Sequence, residues 1–302
     1  MKLFAPSYYL KFKCIADRCK HSCCAGWEID IDDSAIHRYE RAAGGYFEKI
    51  KKSIDYSDTP HFCLVGERCP HLSDSGLCRI ITELSEDWLA EICREHPRFY
   101  NDTAKGREVG LGMACEEAAR LILEAENYRE RVDIGDVSGE CGGFEFDAVN
   151  EREKLYALLS DERTPYETRL GMLWKKYGAS PKIHTDAEWR ELLSSLEYLD
   201  CEHKDMFSVY SSSPKTPVKY EKMLERFLAY LVYRHASSKD TPDAFRAALG
   251  FAFFTERLFA SVIKSRKEID TGAALEIARV ISEELEYSLD NTDTITFEFN
   301  FI

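Results

Sequence analysis

A chain of 302 residues, 44% hydrophobic, can bury one large core or two smaller ones, so it needs no disulfide staples for want of interior. Its formal net charge of -14 argues against a nucleic-acid groove, which clustered Lys and Arg would have to build, and suits an acidic enzyme or a binder of basic groups. The opening MKLFAPSYYLKFK holds no long apolar run, and nowhere do about 18 apolar residues run together, so a cytoplasmic protein without a membrane span is expected.

In chain order, the first feature is KCIADRCKHSCCAGW, with Cys14, Cys19, Cys23 and Cys24. In WEIDIDD, Ile29 and Ile31 alternate with acids, which predicts a short strand, and Asp33 or Ser34 is placed to cap a helix running through Tyr39. Residues 56–78, rich in Pro, Gly, Ser and Asp, read as irregular loop carrying Cys63, Cys69 and Cys78. RIITELSEDWLAEICREH sets Ile80, Leu84, Trp88, Leu89 and Ile92 at helical spacing; Pro97 ends that helix beyond Cys93. CEEAARLILEAENYRERV predicts a second helix with Cys115 at its start, where backbone N–H groups favour a thiolate. DIGDVSGECGGFEFD, residues 133–147, reads as a linker or exposed loop and is no dinucleotide fingerprint.

Helical periodicity then dominates to about residue 290, in EREKLYALLS, EWRELLSSLEYL, YEKMLERFLAYLVYRHA, DAFRAALGFAFFTERLFASVI and AALEIARVISEELEYSL. The alternating tail TITFEFNFI predicts a short strand or a segment docked on the surface. The expected fold is mainly α: a cysteine-rich, loop-containing metal-binding module with a short strand or two over 1–130, a linker at 131–149, and a helical bundle over 150–302 that can share one core with the first.

Nine of the eleven cysteines precede residue 116. In a reducing cytosol such a concentration points to metal binding or thiol chemistry rather than to a disulfide framework. The candidate ligands are Cys14, Cys19, Cys23, Cys24, Cys69, Cys78, Cys93 and Cys115, enough for one four-cysteine iron–sulfur cluster with thiols to spare or for two four-thiolate sites. Thiolates select zinc, copper(I) or iron–sulfur clusters, and the metal stays open at this level. Paired C-x2-C knuckles and the ferredoxin run are absent, and Gly26 stands where a radical S-adenosylmethionine signature needs its third cysteine. Adjacent thiols in extended backbone point opposite ways, so Cys23 and Cys24 would serve different irons or sites, or only one would be a ligand. As a vicinal pair they also open a thiol–disulfide reading. The isolated Cys63, Cys141 and Cys201 read as small buried hydrophobes, and His21, His96, Arg94 and Arg98 as packed or solvated side chains near the cysteines.

The segments FKCIADRCKHSCCAGWEIDID, CPHLSDSGLCRI, CREHPRFY and MACEEAARLIL resemble, in this order, those of the bacterial flagellin lysine-N-methylase family, and YLVYRHA and ISEELEYSLDNTD extend the likeness. Shorter cysteine-rich, metal-chelating proteins share a related C-x3-CC pattern. The resemblance implies methyl transfer from S-adenosylmethionine to lysines of a protein substrate, flagellin in the family, with a four-iron four-sulfur cluster held at the eight cysteines. Glu116 stands where the family carries proline, and family members are often longer than this chain.

Lysine is an ammonium at neutral pH, so its methylation needs a base or a desolvating, aromatic-lined pocket. The sixteen tyrosines are compatible material, although Phe227, Tyr230, Tyr233 and Phe251 to Phe254, at helical spacing, read as core. The sequence singles out no catalytic base, no adenosine pocket and no oligomeric state. The competing class is a noncatalytic zinc- or iron–sulfur-binding scaffold, sensor or carrier.

Overall fold

Two separate stretches of the chain make up the cysteine-bearing unit, and the rest of the described chain forms a second. In the computed structural model, which describes residues 1–140, 142–178, 181–183, 185–266 and 268–300, one unit comprises Lys13–Arg98 with Cys115–Glu117, and the other Met1–Phe12, Phe99–Ala114 and Ala118–Ile302. The chain runs β1 (Lys2–Pro6), α1 (Asp33–Arg41), α2 (Phe47–Lys52), β2 (Ile54–Asp55), β3 (His61–Phe62), α3 (Arg79–Glu83), α4 (Glu91–Glu95), β4 (Arg98–Thr103), β5 (Gly106–Leu111), α5 (Glu116–Glu124) and β6 (Arg131–Asp136). It continues through α6 (Ala148–Leu159), α7 (Tyr166–Tyr177), α8 (Asp186–Ser195), α9 (Cys201–Phe207), α10 (Glu221–Ala236), α11 (Pro242–Ser265), α12 (Thr271–Glu286) and α13 (Leu289–Phe297). The mainly α expectation holds, and no described helix is long and apolar enough to cross a membrane.

In the cysteine unit, Ile29 and Ile31 are buried as their alternation predicts, beside Tyr39, Ile50, Phe62 and Ile80. Their segment is not a strand: it makes an isolated bridge of Asp30 to His61, with Phe62 N–H donating to Ile29 O at 3.1 Å. The cap of α1 is Asp32, one residue before the predicted position, because its carboxylate accepts the Ala35 N–H at 2.9 Å and also that of Glu91 at 2.7 Å. One carboxylate thus ties α1 to α4. The helix predicted over 79–96 is instead α3, a 3-10 turn over Glu86–Trp88, and α4, because the extended backbone of Ser85 and Ala90 interrupts it.

In the other unit a four-stranded sheet has the order β4-β5-β1-β6. β1 runs parallel to β5, pairing Leu3 with Arg107, and antiparallel to β6, pairing Ala5 with Val132. The linker expected at 131–149 therefore begins as a strand; Gly135, at φ 131°, and a register shift beside Phe4 hide its alternation. The expectation for Cys141 lies outside the described residues. The helices α10, α11 and α12 bury most of their surface, including Phe227, Tyr230, Tyr233 and Phe251 to Phe254, as their spacing predicts. The tail is a helix, α13, rather than a strand: Ser288 caps it by accepting the Asn291 N–H, and the buried Asn291 and Ile295 lie one turn apart. Phe299 follows and packs over Gly250 of α11.

Candidate functional site

The sulfur positions follow from backbone turns. At Ala16 the chain takes a positive φ of 53°, unusual for a residue with a Cβ, and its N–H donates to the Cys14 sulfur at 3.4 Å. Cys23 and Cys24 sit in a turn held against residues 67–69: Gly26 N–H donates to Glu67 O and Cys69 N–H to Cys24 O, both at 2.8 Å. The Trp27 indole closes the turn on Cys23 O at 2.7 Å. The expectation that this pair points opposite ways is corrected here. It assumed extended backbone, whereas the two residues sit in a turn, where each thiol bears on the other, lowering the Cys24 thiol and raising that of Cys23.

Cys69, Cys78 and Cys93 come from three further supports. Cys69 is buried, which pushes its thiol up to about 12, against the nearby backbone N–H groups of His71 and Leu72. Cys78 immediately precedes α3, and burial raises its thiol, against the backbone N–H groups at the helix start. Cys93 lies within α4, its thiol raised first by burial and then by Cys24, Cys69 and Cys78. Cys24, Cys69, Cys78 and Cys93 thus form a set in which each thiol feels the charge of every other. Cys23 joins it through Cys24 and Cys93, and Cys14 through Cys23. Cys19 belongs to a second neighbourhood: burial raises its thiol to about 11, and Glu116 and Cys115 repel its charge. Its Sγ donates to Glu116 Oε2 at 3.7 Å, and the same oxygen takes the Lys20 N–H at 2.8 Å.

All eight candidate cysteines therefore fall in one unit, in two neighbourhoods. Among the described residues no three His, Cys, Asp or Glu side chains are gathered closely enough to hold a single metal ion, and none of the described cysteines is in a disulfide. As a donor set, Cys24, Cys69, Cys78 and Cys93 offer soft sulfurs only, half-buried to buried, the donor type that thiolate-ligated centres use.

Cys63 and Cys201 are exposed, against the expectation of burial. Their flanking residues, loop in one case and the first turn of α9 in the other, put them at the surface. The His96 ring lies 5.8 Å from that of Trp27. Sequence reasoning missed Arg68, whose charge favours the Cys24 thiolate, and His71, which sits buried between the Tyr46 hydroxyl and Ser53 Oγ at 3.0 Å each. Burial keeps the His71 imidazole neutral, with its pKa lowered to about 4. Nothing local marks either residue; both matter only through the bridge of residues 24–26 to 67–69 and the packing beneath it.

No protein-family model matches the chain, and no solved structure matches it significantly. It is similar to the Lysine-N-methylase of Salmonella typhimurium, 25% identical over 126 residues, or 39% of this chain and 31% of that protein. The Lysine-N-methylase of Salmonella choleraesuis matches at the same identity and coverage. The Flagellar biosynthetic protein FliU of Salmonella muenchen is 24% identical over 127 residues, 39% of this chain and 75% of FliU. The chain thus spans about a third of the length of the lysine-N-methylases it matches. The likeness read from the sequence is thus matched, over 39% of this chain, by lysine-N-methylases and a flagellar relative.

Proposed function

We propose that the chain is a cytoplasmic protein-lysine N-methyltransferase of the flagellin-methylase kind, using S-adenosylmethionine, with a four-iron four-sulfur cluster in its cysteine unit. The observation that carries the reading is the similarity to lysine-N-methylases, in a chain that gathers all eight candidate cysteines in one unit. Cys24, Cys69, Cys78 and Cys93 would hold the cluster, with Cys14 and Cys23 beside them and Cys19 and Cys115 in the second thiol neighbourhood. Bound there, a cluster supplies a redox-capable anionic centre and ties together turn 23–24, residues 69–78 and α4. The chain's own part in methyl transfer is to present a neutral lysine amine: its lone pair forms the N–C bond as the methyl–sulfur bond breaks, and its proton leaves. The acidic surface favours a substrate segment presenting Lys, as in flagellin.

A second reading, a noncatalytic zinc- or iron–sulfur-binding protein, has in its favour that the match covers 31% of the methylases. Anaerobic purification with metal analysis separates the two. Brown protein absorbing near 400 nm, with about four irons per chain lost in C69S and C78S, together with methylation of flagellin lysines from S-adenosylmethionine, supports the first. Colourless, zinc-bound protein without methyl transfer supports the second.

A further inference from the structure

Outside the cysteine unit, one small cavity is walled by aromatic side chains. Tyr8, Tyr128, Tyr156, Tyr230 and Tyr233 line it with Arg226, around a partly open space of about 10 Å³, room for roughly one water molecule or one amino group. Four of the phenols have already committed their protons. Tyr128 donates to Glu225 at 2.9 Å, Tyr156 to Ala229 O at 2.6 Å, Tyr230 to Glu286 at 2.9 Å and Tyr233 to Val109 O at 3.1 Å. The Tyr8 side chain is only 6% exposed, and its hydroxyl bonds to no described residue. A buried hydroxyl of this kind calls for a partner inside the cavity.

We infer that this tyrosine-walled cavity receives the terminal amino group of the substrate lysine and holds it uncharged. The inference rests on the methyltransferase reading and assigns its amine site. The Tyr230 oxygen is saturated, since it also accepts from the Met113 N–H at 3.1 Å and from Arg234 Nη1 at 3.0 Å; the oxygens of Tyr128, Tyr156 and Tyr233, whose protons are spent elsewhere, can offer only lone pairs, matching an N–H donor. The charges around the cavity disfavour an ammonium. Arg226 stands at the wall with its guanidinium donating to Leu123 O at 2.8 Å. The two carboxylates behind the phenols are already paired, Glu225 with Arg169 at 2.6 Å and Glu286 with Arg234 and His235. Behind Tyr8 and Tyr233, Arg152 pairs with Glu108. Burial and an unbalanced guanidinium both push an amine toward its neutral, nucleophilic form.

The test uses the full, metal-loaded chain and n-propylamine, with n-propanol as control, followed by tyrosine difference absorbance. Saturable binding of the amine but not the alcohol is expected, weakened about threefold in Y8F and tenfold or more in A229V, which fills the space; circular dichroism checks that both variants fold. Methylation of a lysine peptide should fall in step, and in R226Q the rising limb of its pH profile should move to higher pH. Amine binding without methyl transfer to any lysine leaves the site standing and overturns the methyltransferase reading. Methyl transfer at full rate in A229V and Y8F, or a bound water that saturating amine does not displace, overturns the site.

Discussion

Glu108 is fully buried on β5 and faces two guanidiniums: Arg152, in bidentate contact at 2.6 and 3.0 Å, and Arg131 at 2.7 Å. Removing the carboxylate strands two cations, whereas removing Arg152 leaves one pair intact. E108A should therefore cost about 3–5 kcal/mol and R152M clearly less, read from urea denaturation midpoints; equal losses would show that Arg131 does not share the charge. His235 is the residue for which acid should be telling. Burial lowers its pKa below the ordinary 6.5 against the pull of Glu286, whose Oε1 lies 2.7 Å from Nε2. The unfolded chain then binds a proton that the folded one resists, so this contribution is complete above 6.5 and is lost as pH falls below it. The Glu286 carboxyl, held below its usual range by Arg234 and His235 against burial, adds a second loss at lower pH, below about 4.5. H235Q should flatten the stability slope between pH 7.5 and 5.5 and leave the lower one, as denaturation at several pH values would show.

Among the elements, α11 turns a familiar rule around. Replacing a mid-helix glycine by alanine ordinarily stabilises by about 1 kcal/mol. At Gly250, however, a methyl would run into the Phe299 ring, so G250A should destabilise by about 1–3 kcal/mol. In an F299A background the same change should become neutral or stabilising; a double-mutant cycle without that reversal of sign would unseat the packing argument. Helices of this kind were the legible part of the fold: α5, α10, α11 and α12 announce themselves by apolar residues one turn apart, and their predicted faces are the buried ones. The sheet was not legible. GREVGL and RVDIGD carry glycines and charges, and their partner β1 lies about a hundred residues away, so no local pattern pairs them. The candidate site was legible as a list of thiols but not as two neighbourhoods, because turns and helix starts, not spacing, decide which sulfurs meet.

For the whole molecule, the discontinuous division of the chain means that the cysteine unit should melt on its own terms. Stripping the metal with a chelator should lower its transition while the helical unit keeps most of the far-UV dichroism; a single, unshifted transition would speak against a bound centre that supports this fold. The position of β1 sets an order for events on the ribosome. Its neighbours β5 and β6 are made only at residues 106–136, so the first strand emerges with nothing to pair with. At about 5–20 residues per second it waits roughly 5–20 seconds. Seven of the eight thiols leave the exit tunnel during that interval, before Cys115 arrives. A nascent chain would therefore be ready to bind the proposed cluster before its first strand finds a sheet.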